Sequence, residues 1–357
     1  MIGKALISRG FRIRRNLDLG YYAIWFNGKT WRLDLDGQGG DPLPLPPGKS
    51  EFYDVSLGTR CNACCDFCYT SAESKGTDYQ GTWKTWQAWM DTLGPDTPVD
   101  PTTDEVWAEL TAGPKEEDAP EMVELKAMIK VFYTDLGLPA LYTEKPFQIA
   151  IGSQGEPTIH PDFELFLAGV YQSGVIPNYT TNGITLAAGD DRGKQLLLST
   201  SLYCAGVAVS YGNPALRPKA RIAIENLRRE GRCKVMIHHI ISDKDSVDEF
   251  LQLAKDYGAD IHYHVLLPLM KHGRSKEGMT PGTFEYMAEG IHREGIEGRI
   301  ALGANFAPYL KSDPTLLPVW EYPSETYSKN VLLKSRSEIV ITPSSFDLTP
   351  CQVLSLS

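Results

Sequence analysis

The sequence predicts an α/β fold: a partial (β/α)6 barrel of parallel strands, with a small N-terminal antiparallel β element and a C-terminal extension. Three observations carry this. Candidate strands lie at 52–57, 147–152, 176–181, 205–210, 234–240 and 260–266. Segments with helical period lie between them, and repeated β–α units demand right-handed crossovers, hence a parallel sheet with helices outside. Before residue 50 the pattern is instead a short alternation of apolar and polar residues, which suits antiparallel pairing. Six such units can curl into a partial barrel, and its chemistry belongs at the C-terminal ends of the strands.

The elements follow in order. Residues 1–50 contain the alternations Ala5/Ile7, Tyr22/Ile24 and Trp31/Leu33/Leu35, with Asn27-Gly28 as a hairpin turn. This element is expected to cap the fold. Residues 37–48, rich in Gly and Pro (Pro42, Pro44, Pro46, Pro47), read as a linker. The barrel is expected over 51–268, with an insertion at about 72–117 that carries Trp83, Trp86 and Trp89 at helical spacing, plus Trp107. Such a tryptophan stripe reads as a packing face before a ligand platform, yet a long insertion after the loop that follows the first barrel strand lies near the mouth and is expected to form a lid. A helix follows over 120–136. Phe163, Phe166, Leu167 and Val170 share one helical face, as do Val247, Phe250, Leu251 and Ala254. Ser246 and Glu249 suggest a capping box, with Gly258 ending that helix. Arg217, Lys219 and Arg221 read as a solvated helix face. The C-terminal extension, 269–357, offers a loop (Lys271, His272, Gly273, Arg274), a helix near 284–293 and strands near 299–302 and 337–342.

Composition narrows the function. The chain has 357 residues, 42% hydrophobic and 22% charged, and a net charge of −10. Such a charge gives no long-range attraction for nucleic acid or an anionic membrane. No apolar run approaches the ~20 residues that cross a bilayer. The basic residues 1–15 lack a signal-peptide core. Seven cysteines, four of them bunched, suit a reducing compartment, so a cytoplasmic location is expected. No Ser-His-Asp grouping and no phosphate-cradling Gly-x4-Gly-Lys-Ser/Thr loop supports a hydrolase or nucleoside triphosphatase.

The most informative stretch is Cys61-Asn62-Ala63-Cys64-Cys65-Asp66-Phe67-Cys68, directly after the first barrel strand. Cys61, Cys65 and Cys68 are spaced C-x3-C-x2-C. Three thiolates on one short loop can hold three corners of a cubane iron–sulfur cluster and leave the fourth iron without a protein ligand. Structural zinc sites usually close with four ligands, commonly two C-x2-C pairs, and no second pair occurs here. Cys64 breaks the spacing and reads as a loop residue. A non-catalytic iron–sulfur or zinc protein stays open as an alternative.

This loop resembles the signature of the radical S-adenosylmethionine (SAM) enzymes, with Phe67 as the aromatic residue before the last cysteine. The resemblance implies that Cys61, Cys65 and Cys68 bind a 4Fe-4S cluster whose unique iron is chelated by the amino and carboxylate groups of SAM. Gln154, Gly155, Glu156 and Pro157 resemble the family's Gly-Gly-Glu segment, with Gln154 at its first glycine, and would hold the SAM amino group. Thr181 and Asn182 match polar positions near cofactor or substrate. Ser210 matches a hydroxyl on the ribose or carboxylate of SAM, and His238 a ribose contact. His262 and His264 share one strand face, as pocket residues or ordinary hydrogen-bonded ones, with no third metal ligand in sight. Arg274 is a candidate partner for a carboxylate.

The resemblance further implies a reductive chemistry. An electron from a flavodoxin- or ferredoxin-type donor would cleave SAM to methionine and a 5′-deoxyadenosyl radical, which removes a hydrogen atom from the substrate. The C-terminal tail resembles the start of the extensions of peptide-modifying members, yet offers only Cys351, so no auxiliary cluster is expected. The expected substrate is an amino acid or peptide side chain, undergoing isomerisation, epimerisation or crosslinking. The alternative is a nucleotide or nucleic-acid base stacked on the aromatic insertion; the acidic charge weighs against it.

Overall fold

The structure, a computed structural model, describes residues 9–16, 21–34, 50–230, 232–310, 316, 328–335, 338–343 and 352–355. The expected linker and Cys351 lie outside the described residues. Strands β1 (Phe11–Asn16), β2 (Tyr21–Phe26) and β3 (Lys29–Asp34) form an antiparallel meander. Asn27 and Gly28 both have positive φ, 51° and 83°, as a type I′ turn between β2 and β3 requires. Next come β4 (Phe52–Ser56), α1 (Thr82–Thr92), β5 (Thr97–Pro98), α2 (Glu105–Thr111), α3 (Pro120–Ile129) and β6 (Ala140–Tyr142). Helix α3 runs on as a π-helical turn, Lys130–Asp135.

The repeating part continues with β7 (Gln148–Ile151), α4 (Phe163–Gln172), β8 (Ile176–Thr181), α5 (Ile184–Ala187), α6 (Asp191–Tyr203) and β9 (Gly206–Ser210). It ends with α7 (Arg217–Glu230), β10 (Lys234–Ile241), α8 (Lys244–Tyr257), β11 (Tyr263–Pro268), α9 (Thr283–Glu294) and β12 (Ile300–Leu302). Beyond these lie β13 (Ser328–Ser335), β14 (Glu338–Pro343) and β15 (Gln352–Ser355). The larger sheet has the order β12-β11-β10-β9-β8-β7-β4-β13-β14, parallel throughout except for β14. Its strands β4 and β7–β12 form the expected half-barrel. The smaller sheet, β15-β3-β2-β1-β6-β5, gathers the N-terminal meander with short strands from elsewhere.

Strand alternation decides what faces the barrel interior. Tyr53, Val55, Ile149, Ile151, Tyr179, Val207, Val209, Val235 and Ile237 join the core under the helices, with Phe163, Phe166, Leu196, Ile224 and Leu227. Their neighbours Asp54, Ser56, Thr180, Ser210 and His238 therefore take the opposite, interior face. The inward direction of His238, which the sequence leaves undetermined, follows from this packing.

The expected lid is overturned. Trp86 is fully buried in the barrel core, edge-on to Phe166 at 6.0 Å, and its Nε1 donates to Ser173 Oγ at 3.1 Å. Trp107 is fully buried in another core, between the smaller sheet and helices α2 and α3. Large aromatic side chains bring so much apolar area that burial against a neighbouring element wins over exposure at a mouth.

Strand β2 uses both faces. Tyr22, Ile24 and Phe26 enter the core shared with Trp107, while Ala23 and Trp25 pack on Phe147, Ile176 and Ala205, at the N-terminal ends of the barrel strands. The N-terminal element thus caps the base of the barrel, as expected. A buried Arg32–Glu51 ion pair at 2.6 Å and bonds from Arg14 Nη2 to the carbonyls of Glu144 (3.0 Å) and Lys145 (2.6 Å) fix it there. Two local expectations are corrected. Helix α8 is capped by Asp243, which exchanges bonds with Ser246, because aspartate one turn earlier is a strong cap and places Ser246 at the third helical position. Glu249 instead pairs with the half-buried Arg217, while Lys219 and Arg221 are exposed as expected. Gly258 ends the helix as expected. Among the described residues no helix is long and apolar enough to cross a membrane.

Candidate cofactor site

The candidate residues collect at the C-terminal ends of the barrel strands. The cysteine loop leaves β4, the segment 152–158 leaves β7, Thr181 and Asn182 end and follow β8, and Ser210 ends β9. Cys61, Cys65 and Cys68 are free and half-buried; Cys64 is exposed, with φ of 47°, and stands apart as a loop residue. Backbone bonds hold the loop: Cys61 N–H donates to Glu73 O at 2.9 Å, and Cys68 N–H to Cys65 O at 3.2 Å.

The loop is packed directly on the glycine–glutamate segment. Gly155 has φ of 71°, and a Cβ there would stand 2.7 Å from Arg60 O and 2.9 Å from Gly58 O, so the backbone approach requires glycine. Glu156 N–H donates to Arg60 O at 2.8 Å. Its buried carboxylate accepts four hydrogen bonds: on Oε1 from Thr158 N (3.1 Å), Thr158 Oγ1 (2.6 Å) and Thr181 Oγ1 (2.8 Å), and on Oε2 from Asn182 N (2.7 Å). Burial pushes this carboxyl's pKa up, and the four donors oppose the push. Asn182 also reaches the cysteine loop, its Nδ2 donating to Asn62 Oδ1 at 2.8 Å. Glu156 and Asn182 thereby lock the two motifs together. Pro157 is buried at the start of a 3-10 turn, while Gln154 is half-buried.

Each thiol has its own surroundings. Burial raises the pKa of Cys61, and the Ala63 N–H, 3.5 Å from Sγ, opposes it. Burial also raises Cys65, against a hydrogen bond from Asn213 Nδ2 at 3.2 Å and the nearby Arg274 guanidinium. At Cys68 burial is outweighed by hydrogen bonds from Thr70 and the Ala72 backbone, together with Arg274, and the pKa falls. Among the described residues no three His, Cys, Asp or Glu side chains converge as a single metal ion would need.

Next to the loop lies a cavity of about 520 Å³, lined by Phe67, Gly212, Arg217, Ile240, Asp243 and Glu249 among others. It joins the aromatic of the cysteine loop to the ends of β9 and β10. His238, inside the barrel, is kept neutral by burial, with its pKa lowered to about 4. His264 is not with these residues. It faces the helix layer, its Nδ1 3.0 Å from His239 Nε2, and packs near Phe250. His262 Nδ1 accepts from Val235 N at 3.1 Å. Both are hydrogen-bonded residues away from the interior face, which overturns their reading as pocket residues.

The sequence reading missed Asn62, Thr158 and Asn213. Asn213 before Pro214 is a visible helix-start signal, and Asn213 Oδ1 indeed caps a 3-10 turn by accepting from Ala215 N at 3.0 Å. Its contact with sulfur needed the fold.

No protein-family profile and no curated protein sequence matches the chain. Solved structures do. SuiB from Streptococcus suis bound to S-adenosylmethionine superposes with a TM-score of 0.51 at 12% identity, over 83% of this chain and 60% of SuiB. SuiB bound to its precursor peptide SuiA gives 0.52 at 13% identity, over the same shares. The chain therefore spans about 60% of the length of SuiB. What they share is the fold: this chain has the half-barrel architecture of SuiB.

Proposed function

We propose that this chain is a radical SAM enzyme acting on an amino acid or peptide side chain. One observation carries the reading: a C-x3-C-x2-C loop at the barrel mouth, locked through Asn62, Asn182 and Glu156 onto a glycine–glutamate segment. Cys61, Cys65 and Cys68 would hold a 4Fe-4S cluster. Gln154, Gly155 and Pro157, on the turn that follows β7, would face the amino end of SAM; Phe67 and the cavity beside it would take the rest. Glu156 shapes that turn, since its carboxylate is occupied by four donors. Thr181 orients Glu156, and Ser210 and His238 present polar groups to the interior.

When bound, cluster and SAM would supply a 5′-deoxyadenosyl radical for hydrogen abstraction. The protein's part is to orient the substrate and keep water out. Its neutral His238 brings no charge into the barrel at pH 7. An external flavodoxin- or ferredoxin-type protein in a reducing cytoplasm would deliver the electron. The peptide class is supported by the fold shared with SuiB, which has been solved with a peptide, and by the C-terminal tail.

The test is anaerobic reconstitution with iron and sulfide, then dithionite and SAM. The expected result is a brown protein that releases 5′-deoxyadenosine. An intact cluster that releases none would favour a non-catalytic iron–sulfur protein and overturn the proposal.

A further inference from the structure

Cys61 and Cys68 take sulfur hydrogen bonds from their own loop, from Ala63, Thr70 and Ala72, whereas Cys65 takes its bond from Asn213, far along the chain. Two loops from distant strands reach the Cys65–Cys68 side, one after β9 and one after β11. From the first, Asn213 points its Nδ2 at Cys65 Sγ, 3.2 Å away. The orientation of this amide is not arbitrary. Its Oδ1 must accept the Ala215 N–H at 3.0 Å, so the NH₂ group is the one turned to sulfur.

From the second loop comes Arg274. Its backbone N–H donates to Cys68 O at 3.0 Å, and its Nη2 donates to Ala72 O at 2.7 Å, on the far side of the last cysteine. The preceding Gly273, with φ of 61°, lies so close that a Cβ would stand 2.4 Å from the carbonyls of Cys68 and Tyr69. The strap is therefore seated on the cysteine loop backbone to backbone. Arg274 Nε is buried with no hydrogen-bond partner, and the guanidinium charge is felt at both Cys65 and Cys68. A guanidinium stays charged at every working pH.

We propose that Asn213 and Arg274 are positioning residues that fix the Cys65–Cys68 side of the cluster and raise its reduction potential. This rests on the radical SAM reading and deepens it. The physics is general. A hydrogen bond to a ligating sulfur and a nearby positive charge both stabilise the more negative, reduced cluster. Neither Asn62 nor the exposed Cys64 has this relation to a ligand sulfur.

Three variants test it, each reconstituted as the full chain and assayed for iron per chain. Each is then titrated potentiometrically without SAM, following the reduced-cluster EPR signal. Asn213→Asp keeps the capping oxygen and loses the donor to sulfur. Arg274→Gln removes the positive charge. Each is expected to lower the reduction equilibrium constant at least tenfold, about 59 mV for one electron. Cys64→Ser, in the same loop, is expected to leave the potential unchanged. If Asn213→Asp does not hold iron, Arg274→Gln decides alone. A loaded variant that titrates with the unaltered protein overturns the inference, as does an equal shift in Cys64→Ser. Failure of the unaltered protein to take up a cluster would instead sink the radical SAM reading, and this inference with it.

Discussion

At the N-terminal ends of the barrel strands, Ala23, Trp25, Phe147, Ile176 and Ala205 meet as a dry apolar contact. At the C-terminal ends, the corresponding turns carry half-buried thiols, a hydrogen-bonded carboxylate and glycines in left-handed conformations. The base is held by buried area, which is non-directional and tolerates small shifts. The mouth is held by directional bonds and by backbone approaches that only glycine permits. A barrel can therefore lose a contact at its mouth and stay folded, while a gap at its base threatens the whole.

The comparison can be broken at either end. The largest effect belongs to the mouth: Cys65→Ala is expected to abolish the brown absorbance and 5′-deoxyadenosine release while leaving the melting temperature nearly unaltered. Normal iron content in that variant would remove Cys65 from the ligand set. At the base, Trp25→Ala should cost about 3–5 kcal/mol in chemical denaturation through the void it leaves, with any surviving folded protein still able to bind iron. A loss below about 1 kcal/mol would mean the base is not where stability resides.

A third test lies between sheet and helices. His239 and His264 are buried and held neutral, His264 with its pKa lowered to about 4 by burial and His239 lowered well below its ordinary value. As pH falls below about 6.5, the unfolded chain binds these protons first, so stability complete above that pH drains away toward pH 4. By pH 5 the loss from His264 should be about 2 kcal/mol, and His239 adds to it in the same direction. In His264→Gln the acid slope should flatten by one ring's share, and an unchanged slope would count against the assignment. The smallest effect is expected for Asn182→Ala, which removes the bond to Asn62: about 1 kcal/mol, seen as faster proteolysis of the cysteine loop, with the barrel melt almost unchanged.

What was legible in the sequence follows the same division. Apolar runs such as 205–210 announced their strands, because a doubly covered parallel strand has to be apolar along its length. The thiol spacing was legible because chemistry fixes it locally. The insertion was misread as a lid because burial partners far along the chain, Phe166 for Trp86 and Phe11 for Trp107, decide where an aromatic goes. Asn62 and Asn213 were passed over because a loop asparagine shows its partner only once the loops are brought together. The direction of His238 depended on which face of β10 the helices cover. In the capping of α8, Asp243 outcompeted the Ser246 signal by starting the helix earlier.

Strand β4, which launches the cysteine loop, is flanked on both sides, by β7 and by β13. Its amides should therefore rank among the slowest in the molecule to exchange with deuterium, whereas that of the exposed Cys64 should exchange far faster. Such a step in isotope uptake would give the thiol loop an immobile anchor eight residues before its exposed tip.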